Sequence, residues 1–159
     1  SSERDGGTMM RVTGSLLSWR SDNPYPNYIL ATSNSLTRMG EIGLTMTRSE
    51  RFDAAYFVDV PNTPARANML ERWLSGKLPN HRSVAVDLAE RTAKFSGADL
   101  FSTVKQAVAR AEHAGVPLAH EHLLTEMERK QARVEALHRE FDGLRQWGQI
   151  HCEPAGGTE

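Results

Sequence analysis

Downstream of Pro61 the apolar residues recur at helical spacing through four successive segments. Upstream of it they gather instead into two short runs without alternation, Tyr28–Ala31 and Ala54–Val60. Unalternated apolar runs of this length read as buried strands, and three- and four-residue spacing reads as amphipathic helix. The order is therefore a helix, two strands, then helices only. The first helix is read from "TMMRVTGSLLSW", with Thr8 as its cap, and "SDNPYPN" (21–27) stops it with turn formers. Residues 35–51 are weakly patterned and are expected to hold one short helix.

Helix boundaries after Pro61 follow local chemistry. Thr63 and Pro64 suit an N-cap and first helical position, and Gly76 suits the stop. The segment "VDLAERTAKF" is expected to be a short helix capped by Asp87. In "FSGADL" (95–100), Phe95 precedes the cap as a hydrophobic staple, while Ser96 and Asp99 stand at capping-box spacing, and Gly115 ends that helix. Residues from His120 to Trp147 read as one helix, bent or straight. Three divisions result: residues 1–61 as an α/β portion, 62–150 as a helical portion, and 151–159 as a disordered tail.

Totals exclude several classes. At 159 residues, 39% hydrophobic and 25% charged, the composition is that of a soluble globular chain. A net charge of −1 gives no electrostatic case for nucleic acid or an anionic membrane as partner. The single cysteine, Cys152, rules out an intrachain disulfide and suits a reducing, cytoplasmic setting. His120 and His122 are two residues apart, whereas a helical zinc site needs histidines at i and i+4, so no metal site is expected. The only Gly-Lys pair, Gly76-Lys77, is followed by Leu78, so the chain contains no G-x-x-x-x-G-K-[ST] phosphate loop.

Four short motifs remain, in a fixed order. The run "YILATSN" ends on Asn34; "RSERFD" carries Arg48 and Arg51; a second run ends in "DVP"; and "FSGADL" opens a helix with the small residues Gly97 and Ala98. Together with "DGGT-x-x-RV-x-G-x-LL-x-W" (Asp5–Trp19) and "LR-x-W" (Leu144–Trp147), this order resembles the C-terminal part of an AAA-type (AAA+) ATPase module. It is most like the single-module AAA ATPases of bacteria and plastids, over roughly residues 5–150.

The resemblance implies an α/β fold: a partial P-loop NTPase core contributing the C-terminal strands of its sheet, followed by an all-α lid. It matches Asn34 to sensor 1, which orients the attacking water. It matches Arg48 and Arg51 to arginine fingers reaching a neighbouring subunit's nucleotide, and Gly97 and Ala98 to the lid residues that meet adenine and ribose. ATP and Mg²⁺ would belong to the complete module. Its partners would be neighbouring subunits in a homo-oligomeric ring and an unidentified macromolecular substrate. Walker A and Walker B would lie upstream of residue 1, so this chain is expected to be inactive alone. Glu50 stands directly before Arg51, where the family usually has Gly, which motivates the alternative of a non-hydrolysing AAA-like adaptor or helical interaction domain.

Overall fold

A computed structural model describes residues 11, 12, 14–16, 18, 19, 22–25, 28–33 and 52–156. The chain divides into two compact units, Ser1–Ala55 and Tyr56–Glu159. Within the first unit the described residues from 11 to 19, and residue 22, are helical. Tyr25 donates its amide to Asn23 Oδ1 at 3.1 Å, an Asx-type turn where the sequence was expected to stop the helix. Residues 28–33 correct an expectation: they carry no strand pairing, and Tyr28 and Leu30 are 93% and 78% exposed. An apolar run becomes a strand only when a second strand takes up its amides and carbonyls.

The second unit is mostly helical, with one small parallel sheet. Its elements are β1 (Tyr56–Phe57), α1 (Thr63–Leu74), α2 (His81–Arg91), α3 (Gly97–Ala114), α4 (His120–His151) and β2 (Glu153–Pro154). The second apolar run thus yields only two strand residues, and their partner is the C-terminal segment expected to be a disordered tail. Tyr56 pairs with Glu153 and Phe57 with Pro154.

Some helix limits agree with the local signals; the starts of α1 and α2 are displaced, and α4 runs four residues past Trp147 to His151. Asn62, one residue earlier than expected, caps α1 by accepting from the Ala65 amide at 3.0 Å, so Thr63 and Pro64 occupy the first two helical positions. Asp87 does not start a helix. It lies inside α2, where Arg91 donates to both its oxygens at 3.0 Å, because Val84, Ala85, Leu88 and Ala89 make one buried stripe from the first turn onward. The Ser96–Asp99 capping box and the left-handed Gly115 stop (φ 68°) form as read.

One hydrophobic core joins the four helices. Leu70 and Leu74 of α1, Val84, Ala85 and Leu88 of α2, Leu100, Val104 and Ala107 of α3, and Leu123, Met127 and Val134 of α4 are buried with Phe95. Two ionic side chains lie inside it. Glu126, 1% exposed, pairs with Arg110 across the α3–α4 seam and with Arg129 one turn on. Arg66, 2% exposed, donates mostly to backbone: Nε to Ala89 O (3.0 Å) and Nη1 to Pro61 O (2.6 Å) and Ala93 O (3.3 Å), with Nη2 on the Thr63 hydroxyl (2.9 Å). It therefore adds a donor at the partly negative end of α2, where Ala89 O otherwise has only the long 3.4 Å bonds from Thr92.

Candidate functional site

Of the five site residues expected from sequence, Asn34, Arg48 and Arg51 lie outside the described residues. Gly97 and Ala98 form the first turn of α3. Ser96 Oγ accepts from the Asp99 amide at 3.2 Å. The Asp99 carboxylate in return accepts from the Ser96 amide (3.2 Å) and hydroxyl (2.5 Å). That reciprocal box consumes the third-position amide. The Gly97 and Ala98 amides are then the first-turn donors that a helix leaves without an internal acceptor.

Packing does not dictate glycine at position 97. A Cβ added there would meet only the Met69 sulfur, at 3.7 Å, which is ordinary contact, and Gly97 has no positive φ. Met69 and Trp73, one turn apart on α1, are partly buried beside the core, and the Trp73 ring meets Phe101 edge-on at 5.3 Å. The turn therefore offers neutral amide donors beside an apolar, polarisable flank. The Asp99 carboxylate offsets the positive helix end. This combination suits an uncharged polar group, such as a base or sugar, better than a phosphate.

The two histidines in "HEH" have separate roles. His122 Nδ1 accepts from the Ala119 amide at 3.0 Å and so caps α4, while His120 Nε2 lies 3.0 Å from Asp87 Oδ2 but off-line for a hydrogen bond. Among the described residues no group of three His, Cys, Asp or Glu side chains could hold a metal ion. Nor is any described helix long and apolar enough to cross a membrane.

A second polar cluster was not read from the sequence. Arg145 near the end of α4 clasps Asp59, just past β1, with Nε on Oδ2 (2.6 Å) and Nη2 on Oδ1 (2.8 Å). Its Nη1 donates to Asp142 Oδ1 at 3.1 Å and lies 3.0 Å from His138 Nε2, which serves that bond as an acceptor. The Arg145 hydrogen bonds hold the Asp59 carboxyl below its ordinary 3.8. The Val60 amide adds to this and partial burial opposes it. Asp59 in turn raises Arg145.

With the folded value of Asp59 below the unfolded one, the pair's stabilisation is present above pH 3.8 and is lost as pH falls through the folded value. Solvent screens a carboxylate this exposed, so the advantage of wild type over Asp59→Asn is expected to be about 1 kcal/mol. Thermal melts of the two proteins should be separated at neutral pH and converge in acid. A constant separation down to pH 2 would sink this assignment.

A helical bundle entered directly from a parallel strand is compatible with the C-terminal region of an AAA-type module. Comparison with known proteins agrees. The chain is 31% identical over 114 residues to the uncharacterized AAA domain-containing protein ycf46 of Pyropia yezoensis, and 29% identical over 112 residues to that of Trieres chinensis. These matches cover 70% and 69% of this chain and 22% of each relative, so the chain spans about a fifth of the curated relatives' length. An AAA domain-containing protein of Schizosaccharomyces pombe is 34% identical over 92 residues, covering 56% of this chain and 11% of that protein. No protein-family profile and no solved structure matches the chain. It belongs with the AAA domain-containing proteins, as a segment of an AAA-type module.

Proposed function

We propose that the chain supplies sensor 1, trans-acting arginines and the lid to an AAA-type module that binds and hydrolyses ATP to remodel a macromolecular partner. The observation that carries the reading is the first turn of α3. In a chain related to AAA domain-containing proteins, it leaves two amides and the space of a missing side chain open beside Met69. Gly97 and Ala98 would hold the base and ribose of ATP there, with Met69 and Trp73 as the apolar flank. The γ-phosphate of bound ATP, with its Mg²⁺, supplies the bond that is hydrolysed. Asn34 would orient the attacking water by its amide. Arg48 and Arg51, from the adjoining subunit of a ring, would offset the charge that develops on the phosphoryl group.

The complete subunit is expected to hydrolyse ATP, and the 159-residue chain alone is not. In the complete subunit Asn34→Ala should lower kcat by about a hundredfold, the usual scale for one oriented donor at a reacting phosphate or carbonyl. Arg51→Ala should do likewise. Mixing the two inactive proteins should restore part of the turnover, because fingers act on a neighbour's nucleotide. No turnover by the wild-type complete subunit would favour the adaptor, and mixtures that stay inactive would remove the trans role.

A further inference from the structure

The burial pattern of α4 runs out before the helix does. The helix has 32 residues, and its core side chains, Leu123, Glu126, Met127 and Val134, all lie in its first half. At 1.5 Å per residue α4 exceeds the 18-residue α3 by about 20 Å. The distal half is held instead by β1 and its exit. Arg145 clasps Asp59 with two hydrogen bonds. Gly148 is buried against the Phe57 ring so closely that a Cβ would lie 2.5 Å from ring carbons. Beyond the helix, β2 pairs with β1, and Ala155 donates its amide to Phe57 O at 3.0 Å. Arg66 of α1 in turn binds Pro61 O at 2.6 Å.

We propose that residues 145–155 form a latch that fastens β1 and its exit loop to the helical bundle, so that residues 56–61 move with α1–α4 as one body. A loop between a strand and a bundle ordinarily bends. Here the Asp59 carboxylate is held by α4 and the Pro61 carbonyl by α1, and strand and bundle fall in one unit beginning at Tyr56. The latch uses geometry that side chains can set sharply: a two-point guanidinium–carboxylate clasp, a glycine that admits a ring, and a backbone pair. Its mechanical consequence rests on the lid reading: a displacement of the lid passes directly to β1 instead of being absorbed between them.

Amide exchange on the full chain tests the latch without any nucleotide, so loss of the ATP reading would leave this result standing. In wild type the Val60 and Ala155 amides, both hydrogen-bonded, should be protected together. Arg145→Met should speed exchange at residues 56–60, Glu153 and Ala155 by about tenfold while leaving Val84–Ala89 of α2 unchanged. Gly148→Val should give the same pattern with no change of charge. If Arg145→Met proves poorly folded, the charge exchange Asp59→Arg with Arg145→Asp should keep the protection that either of its single changes loses. Unprotected 56–60 in wild type would overturn the latch. So would unaltered exchange in both variants, or a loss spread evenly over α1–α4.

Discussion

Arg66→Met is expected to lower the stability of the helical unit by about 3 kcal/mol or more, a fall in Tm of roughly 15 °C for a unit of this size. The arginine is buried, and its guanidinium donates to the Ala89, Pro61 and Ala93 carbonyls and to the Thr63 hydroxyl. Methionine keeps the stem and much of the packing but removes every donor. The bonds to Pro61 O and Ala93 O are only partly buried, so water takes up part of what is lost there, while any carbonyl left dry costs about 1–3 kcal/mol. Ala89 O would suffer less, since the Thr92 amide (3.4 Å) also reaches it. Lysine is not an adequate replacement, because a single ammonium cannot span partners that the planar fork reaches on three sides. A melt of Arg66→Lys should therefore fall between those of wild type and Arg66→Met. A loss under 1 kcal/mol for Arg66→Met would show that water already serves these carbonyls.

How much of this was legible depended on how far apart the partners lie. The Ser96–Asp99 box and the Gly115 stop involve residues within one turn, and sequence spacing was sufficient to place them. The start of α1 was misplaced by one residue because Asn62 and Thr63 are both competent caps. Only the fold shows that Arg66 takes the Thr63 hydroxyl while Asn62 serves the Ala65 amide. Asp87 is a competent cap by residue type, but burial of Val84 and Leu88 on one stripe starts the helix six residues earlier, at His81. The Asp59–Arg145 clasp spans 86 residues, and no local rule links them. Arg66 in "PARAN" looks like any surface arginine until Pro61, Ala89 and Ala93 converge on it. At the site, the small pair Gly97–Ala98 is legible as an approachable helix start, whereas nothing local ties Met69 and Trp73 of α1 to it.

Gly97→Val separates a glycine kept for a ligand from one kept for the fold, because the two predict opposite signs. Glycine costs about 1 kcal/mol relative to alanine in a helix, and valine costs somewhat less than glycine. The added Cβ meets only the flexible Met69 sulfur at 3.7 Å, and the backbone there is ordinary right-handed helix. The helical unit should thus be as stable as wild type or slightly more so. Nucleotide affinity of the complete subunit should fall by about a hundredfold, since a branched side chain would occupy the space through which base and ribose approach the Gly97 and Ala98 amides. Measuring melts and equilibrium binding of a fluorescent ATP analogue on the same protein gives both signs at once. Unchanged affinity would remove Gly97 from the nucleotide site. Equal losses of stability and affinity would mean that glycine serves the packing of α3 against α1, and that the first turn holds no ligand of its own.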